Sequence, residues 1–345
     1  MLNRFAMASG GVERDSPVTP AKSASRLHVI DGLRGLAALA VAWFHMTRDL
    51  PSTSWVGQSG TYGWLGVEVF FVISGFIIPY SMWTSGNRLR DYGRFQAKRM
   101  LRLYPPFVAA IVLMVVLDYL GALMPGYRGK PPAHDAIELA ANLTYLADIF
   151  SIPWVGVVLW SLAIEVQFYL LMGFLFVALK QSRLSTLTLL VMIGCGLMLP
   201  STKYVFHFLP LFAAGSTVFL ASTGQMSRVA CALVLSLATL AVVHGFGLSA
   251  AIATLLSSLA ILLIHRQPLT PLAVLGAISY SVYLIHVPIG GRIVNLGNRL
   301  AHNEGTQLVF ALVGLAVSLV AGWVFYRLFE RNSQRLSSRI KYKAA

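Results

Sequence analysis

The sequence is poor in charged residues. Only 12% of its 345 residues are Asp, Glu, Lys or Arg, about half the fraction that soluble domains carry, and 57% are apolar. The mean hydropathy is +0.69. A chain with so few charges cannot cover an ordinary soluble surface, so the composition indicates a polytopic membrane protein.

Other features are missing as well. The two cysteines, Cys195 and Cys231, lie in separate apolar segments and are too few for a disulfide framework. The histidines form no pair at metal-ligand spacing, so we predict no metal site. Residues 1–26 contain no continuous apolar run, so we expect a disordered cytoplasmic tail rather than a cleaved signal peptide.

Apolar stretches close to membrane length follow one another along the rest of the chain. A transmembrane helix needs about 20 such residues. The sequence therefore predicts an all-α integral membrane protein, a bundle of about ten transmembrane helices at 27–331 with a basic cytoplasmic tail at 332–345. The stretches cover 33–50, 62–83, 105–123, 155–179, 184–200, 205–222, 229–246, 248–265, 272–291 and 306–329.

Lysine and arginine are concentrated in alternate connections between these stretches. If the N-terminus is cytoplasmic, every basic connection faces the cytoplasm, as the positive-inside rule requires, and both termini are cytoplasmic. The net charge of +14 then reflects topology and attraction to anionic lipid or an anionic cytosolic ligand, with no need for nucleic acid. The basic connections contain Arg88 to Arg102, Lys180 and Arg183, Arg228, Arg266, and Arg331 to Lys343.

The first apolar stretch contains the most informative polar pattern. Arg34 and His45 have nearly the same azimuth on a helix and lie roughly 16 Å apart along its axis, and Asp49 is rotated only about 40° further. An unpaired ionisable group in a bilayer costs several kcal/mol. This polar stripe must therefore face a partner or a cavity, and a His beside a carboxylate suits general-base chemistry.

Two further patterns involve charged residues. Glu68 lies in the second apolar stretch among small and aromatic residues, so its side chain is expected to face the bundle interior. Arg99 and Arg102 are one turn apart just before a Pro-initiated segment, which suits phosphate recognition through forked hydrogen bonds. Without that pattern, the two arginines would be interpreted as topology determinants.

Two polar groupings lie in later stretches. Ser161 and Glu165 share a face of the fourth stretch, where Glu165 either is functional or forms a structural ion pair with Arg34. Tyr283 and His286 lie on roughly one side of the ninth stretch, and a packing role for His286 stays open. His207 and His244, near the ends of other stretches, are assigned no role.

In this order and at these intervals, the segments resemble the membrane-bound acyltransferase family 3, multi-span enzymes that O-acylate sugars and some secondary metabolites. The resemblance covers nearly the whole chain, and its most specific element is Arg34 and His45 with ten residues between them. The other elements are Asp31-Gly32-Leu33, the FFxxSGF stretch at 70–76, the RxxR pair of Arg99 and Arg102, and the SxxxE pair of Ser161 and Glu165.

The resemblance implies an O-acyltransferase of the inner (cytoplasmic) membrane. Its donor is cytoplasmic acyl-CoA, by default acetyl-CoA, and its acceptor is a carbohydrate or glycolipid hydroxyl at the outer face. His45 is expected to act as the general base that takes the proton of the acceptor hydroxyl as it attacks the thioester. An acyl-histidine intermediate is the alternative.

The remaining roles follow from that chemistry. We expect Glu165, or else Asp49, to orient His45 and to stabilise its imidazolium form. Arg34 is expected to attract the pyrophosphate or 3′-phosphate of CoA, and Arg99 with Arg102 to hold the nucleotide end. Tyr283 or Ser161 is the expected donor to the oxyanion. The candidate acceptor-binding residues are Glu68, Ser161, Tyr283 and His286.

Two functions from other classes remain as alternatives. In a transporter or lipid flippase, Arg34 and His45 would form an ion or proton pathway. The sequence shows no internal repeat, which weighs against that alternative. In a non-catalytic membrane scaffold, His45→Ala would have no effect.

Overall fold

The described part of the chain consists of helices and the connections between them, with no strands. This computed structural model describes residues 28–51, 53–85, 91–125, 131–264, 270–300 and 303–340. The predicted tail at 1–26, the last five residues of the predicted basic tail, and Arg88, Arg90 and Arg266 lie outside them. The helices are α1 (His28–Thr47), α2 (Trp55–Ser59), α3 (Gly66–Thr84), α4 (Tyr92–Ala122), α5 (Ala136–Leu143), α6 (Leu159–Leu179), α7 (Ser182–Met198), α8 (Val205–Ser222), α9 (Arg228–Phe246), α10 (Leu248–Ile264), α11 (Thr270–His286), α12 (Arg292–Leu300), α13 (Glu304–Phe325) and α14 (Arg331–Ser338).

An apolar helix occupies each of the ten predicted stretches. In the described residues, eight helical segments are long and apolar enough to cross a membrane, and the two shorter apolar helices are α7 and α10. The all-α membrane fold is therefore confirmed. The count of ten crossings and the cytoplasmic location of both termini stay predictions.

Glycines bring α1 and α11 into close contact. A Cβ atom on Gly276 would lie 2.0 Å from the carbonyl oxygen of Asp31, and one on Gly35 would lie 2.8 Å from the Cβ of Leu275. Small residues at such a crossing let two helix backbones approach each other in a membrane. The close crossing aligns α11 with α1, so that His286 at the end of α11 lies beside His45.

A second pair of glycines joins α3 to α8. A Cβ on Gly75 would lie 2.2 Å from the carbonyl oxygen of Phe212, and one on Gly215 would lie 2.0 Å from that of Val72. The hydroxyl of Ser216 donates a hydrogen bond of 2.9 Å to the carbonyl of Gly75. These contacts make α8 the buried centre of the bundle, and they fix α3 between α1 and α8.

Two π-helical segments interrupt the regular helices. Residues Val287–Gly291 follow α11 directly after His286, and Tyr326–Glu330 follow α13 and end on a buried carboxylate. A π-helical turn changes the direction of the side chains that follow it, and such turns often occur at functional sites. Both segments lie next to buried ionisable residues.

We expect Gly215→Ala to destabilise the protein by about 1–3 kcal/mol, because the added methyl group would overlap the backbone of α3. Gly194→Ala in α7 is the matched control, since nothing lies within 4 Å of a Cβ there. The apparent Tm of both variants in detergent, followed by tryptophan fluorescence, measures the difference. Equal Tm values would contradict the close α3–α8 crossing.

Candidate active site

Two cavities lie inside the bundle and share no lining residue. The histidine cavity has a volume of about 1270 Å³, and the arginine cavity has a volume of about 50 Å³. Neighbouring residues line different cavities at two places. On α3, Glu68 lines the histidine cavity and Val67 the arginine cavity, and on α6, Trp160 lines the histidine cavity and Ser161 the arginine cavity. The histidine cavity includes His45, Arg48, Asp49, Glu68, Trp154 and His207, and the arginine cavity includes Arg34, Arg99, Arg102, Ser161, Glu165 and Tyr283.

Helix α1 contributes to both cavities. Arg34 lines the arginine cavity and His45 lines the histidine cavity. The polar stripe that the spacing predicts is therefore directed into the bundle, and its two ends open into different spaces. One rigid helix thus sets the distance between a guanidinium and an imidazole.

A pair of hydroxyls separates the cavities. The Ser161 Oγ and Tyr283 Oη atoms are 2.6 Å apart. Ser161 donates to the carbonyl of Val158 at 3.0 Å, which leaves its oxygen free to accept from Tyr283. The ring of Phe70 packs edge-on against Tyr283 at 5.7 Å between centroids. Ser161, Tyr283 and Phe70 form the barrier, the wall between the two cavities.

His45 contacts an arginine, and it contacts no carboxylate of the described residues. The Nη1 atom of Arg48 lies 3.4 Å from His45 Nδ1, and Arg48 Nε lies 3.4 Å from a carboxylate oxygen of Asp49. Asp49 therefore reaches the imidazole only through Arg48. Because a guanidinium can only donate, this contact requires a lone pair on Nδ1 and stabilises the neutral ring.

His286 lies behind His45. The two ring centroids are 5.2 Å apart, and the side chain of His286 is fully buried. Its Nδ1 atom lies 2.8 Å from the carbonyl of Tyr283 and 3.1 Å from that of Val282, so it carries the proton and donates. Nε2 is left as an acceptor without a partner. His286 lines neither cavity, so its position does not favour direct contact with an acceptor molecule.

The predicted pairing of Glu165 with His45 is not formed. Glu165 accepts hydrogen bonds from Ser74 at 2.7 Å and from Tyr169 at 2.5 Å, and it lines the arginine cavity. It lies one turn of α6 beyond Ser161, which is already at the barrier. The carboxylate is thus on the arginine side, where it contributes the only negative charge to the described lining.

The predicted arginines do converge. Arg34, Arg99 and Arg102 line one cavity, and the Nε atom of Arg34 is buried without a partner. Arg99 donates to Ser81 at 3.4 Å and lies 5.6 Å from the ring centroid of Tyr169. With three guanidiniums against one carboxylate, the lining has an excess of positive charge, which suits a polyphosphate.

Sequence reasoning missed Glu330. This carboxylate is 3% exposed and accepts hydrogen bonds from Ser281 at 2.6 Å and from Gln334 at 2.8 Å. It lies close enough to Arg34 and Arg102 for electrostatic attraction. Its signal in the sequence is that it is the one acid among the basic residues that follow the last apolar stretch. Because Glu330 is far from α1 in the chain, the sequence does not show that the two are close in space.

Glu68 is directed into the bundle, as predicted. Its side chain is 5% exposed, lines the histidine cavity, and leaves Oε2 without a hydrogen-bond partner. Trp154 and His207, which the sequence did not single out, line the same cavity. In the described part of the chain, no group of three or more His, Cys, Asp or Glu residues could hold a metal ion.

Residues 27–327 match the acyltransferase domain family known as acyltransferase 3. This match covers most of the chain, so the protein belongs to that family, the one that its motifs resemble. No solved structure matches the chain.

The names of similar curated proteins agree with this assignment. The chain is 30% identical over 355 positions to BcsY of Komagataeibacter xylinus, named as a membrane-bound transacylase, with 91% of this chain and 85% of BcsY covered. It is 34% identical over 184 residues to the peptidoglycan O-acetyltransferase OatA of Listeria monocytogenes, and 32% identical over 194 residues to the O-acetyltransferase OatA of Staphylococcus aureus. Those matches cover 49% and 52% of this chain, but only 27% and 30% of the two OatA proteins.

We expect coenzyme A, and more weakly inorganic pyrophosphate, to raise the apparent Tm of the protein, because both would neutralise the arginine cavity. A ligand at a hundred times its Kd stabilises by about 2.7 kcal/mol. Arg102→Ala should abolish this shift, whereas Arg183→Ala, an exposed arginine at the start of α7, should retain it. An equal shift in both variants would show that the arginine cavity does not bind the polyphosphate.

Proposed function

We propose that the protein transfers an acyl group, most simply acetyl, from acyl-CoA to a hydroxyl of a carbohydrate or glycolipid acceptor. The observation that carries the proposal is that α1 presents Arg34 to one cavity and His45 to the other. The donor binds with its charged end at the arginine cavity and its acyl end toward His45. The acceptor enters the histidine cavity.

Charge and size support this assignment of the donor. The arginine cavity has an excess of cationic groups, and its unpartnered Arg34 Nε is a free donor for a phosphate oxygen. Its volume of about 50 Å³ suits a compact charged group of the donor rather than the whole coenzyme. On the positive-inside rule, this cavity faces the cytoplasm, where acyl-CoA is made, and the membrane is the inner one.

The acceptor assignment rests on the histidine cavity and on the relatives. The cavity is large and lined by aromatic and polar side chains of both charges, which suits a neutral polyhydroxylated molecule. Two relatives are named as O-acetyltransferases, one of them acting on peptidoglycan. We infer that this protein also acylates a sugar polymer or a lipid-linked sugar.

The proposed reaction is direct transfer. The acceptor oxygen forms a bond to the thioester carbonyl carbon as His45 Nδ1 takes the hydroxyl proton and releases Arg48. The C–S bond then breaks, and the CoA thiolate takes that proton from His45. Ser161 and Tyr283 at the barrier are candidate donors to the oxyanion, and the one that donates must first release its present acceptor, either the Val158 carbonyl or the other hydroxyl. Glu165 is hydrogen-bonded elsewhere. We therefore assign His286 as the acceptor for the second N–H of His45, because its Nε2 atom has no other partner.

We expect His45→Ala to lower the rate of acetyl transfer from acetyl-CoA to chitotetraose at least about a hundredfold, since general-base catalysis contributes at least that much. Arg34→Ala should mainly raise the KM for acetyl-CoA. His244→Ala, an exposed histidine at the end of α9, is the control and should retain wild-type kinetics. Assays with radiolabelled acetyl-CoA and equal amounts of each purified variant measure the kinetics of all three variants.

Two outcomes would contradict the proposal. Full transfer by both His45→Ala and Arg34→Ala would remove the polar stripe of α1 from the reaction. Passage of a solute across proteoliposomes without loss of thioester would instead indicate a transporter that uses the same stripe.

A further inference from the structure

The histidine cavity is larger than one reacting hydroxyl requires. Its volume of about 1270 Å³ exceeds the range of roughly 300–1,000 Å³ typical of small-molecule sites. The lining extends from His45 on α1 to His207 on α8, two helices that are separated by α3. A second part of an acceptor can therefore lie away from the imidazole that reacts with the first.

Three buried polar atoms on this lining have no partner. They are Nε1 of Trp154, Nδ1 of His207 and Oε2 of Glu68, on three different elements. Leaving a buried polar atom unsatisfied costs about 1–3 kcal/mol, and native structures contain few of them. An indole N–H needs an acceptor and a carboxylate needs a donor. A hydroxyl supplies both, so a polyhydroxylated ligand can satisfy this set once a side-chain rotation turns these buried atoms toward the cavity.

Aromatic rings surround these atoms. The ring of His207 packs against that of Phe246 at 4.4 Å between centroids, and Trp160 packs against Phe208 at 5.7 Å. All four line the cavity. Flat apolar surfaces with a few directed polar groups are what a sugar ring requires, since it has apolar C–H faces and a polar edge.

The backbone that carries Trp154 is held from both sides. Asn142, which is fully buried, donates to the carbonyl of Pro153 at 3.0 Å and accepts from the amide of Val155 at 2.9 Å. These two residues flank Trp154. The indole is therefore positioned before any ligand arrives, which lowers the entropy cost of binding.

A second side-chain amide holds the chain segment just before His207. The side-chain amide of Gln167 donates to the carbonyl of Lys203 at 3.2 Å and accepts from the amide of Val205 at 2.8 Å. Thus a side-chain amide of the bundle holds the backbone around Trp154, and another holds the backbone just before His207. Two independent supports of this kind indicate a prepared surface.

The charges of the lining exclude a polyphosphate as the occupant. Arg48 is paired with Asp49, and Arg292 lies 2.7 Å from Asp118. The lining therefore has no excess of positive charge, unlike the arginine cavity. Its charged residues are Arg48, Lys203 and Arg292, against Asp49, Glu68, Asp118 and Asp148.

We propose that Trp154, His207 and Glu68 form an acceptor subsite that binds a neutral sugar ring next to the ring that is acylated. The subsite makes the protein select a chain of sugars over a single sugar. It rests on the proposed function for the identity of the acceptor cavity, but its binding is measurable without turnover.

Binding of chitotetraose, cellotetraose and N-acetylglucosamine to the purified protein in nanodiscs tests this subsite by calorimetry. We expect the wild type to bind at least one tetrasaccharide more tightly than the monosaccharide. Trp154→Phe keeps an aromatic ring but removes the indole N–H, and His207→Phe keeps an aromatic ring but removes both ring nitrogens. Each should weaken tetrasaccharide binding by about threefold to tenfold, the effect of one hydrogen bond, and should weaken monosaccharide binding less, because a single sugar can also bind beside His45.

The matched controls are Trp55→Phe and His244→Phe, since both side chains are exposed and line neither cavity. Both should bind like the wild type. Unchanged tetrasaccharide binding in Trp154→Phe and His207→Phe, an equal loss for the monosaccharide, or no binding of either tetrasaccharide would overturn the subsite. Tetrasaccharide binding without acetyl transfer would refute the proposed function alone, and transfer with unaffected variants would refute the subsite alone.

Discussion

The cost of placing an ionisable group in a bilayer determines the rest of this structure. Arg34 and His45 lie on one apolar helix, and each would cost several kcal/mol if it faced lipid. The bundle avoids that cost by opening a cavity at each of them. The close crossing of α1 with α11, which Gly35 and Gly276 permit, then places a second imidazole behind the first.

The separation of the two cavities has a chemical consequence. In the proposed reaction, water that reached His45 together with the thioester would compete with the acceptor hydroxyl for the acyl group, and joined cavities would also let water cross the membrane. The barrier of Ser161, Tyr283 and Phe70 is thin, because neighbouring residues on α3 and α6 line opposite sides of it. Donor and acceptor can thus approach from opposite ends and meet only where water is scarce.

Local periodicity predicts part of this site. The shared azimuth of Arg34 and His45 and the one-turn spacing of Arg99 and Arg102 follow from helix geometry alone, and apolar length predicts the all-α membrane fold. Which helices lie side by side is a tertiary property. Glu165 shares a helix face with Ser161, yet the direction of α6 takes it to the arginine cavity rather than to His45. The neighbours of His286, Glu330, Trp154 and His207 depend on packing between segments far apart in the chain, so no local pattern predicts which groups these residues contact.

The sidedness of the reaction tests the central claim most directly. Sealed vesicles of known orientation would contain chitotetraose and would receive labelled acetyl-CoA from outside. If the arginine cavity binds the donor and the histidine cavity binds the acceptor, label reaches the enclosed sugar only when the basic N-terminal part of α4 around Arg99 faces outward. Acetylation restricted to sugar on the same side as acetyl-CoA would contradict the account.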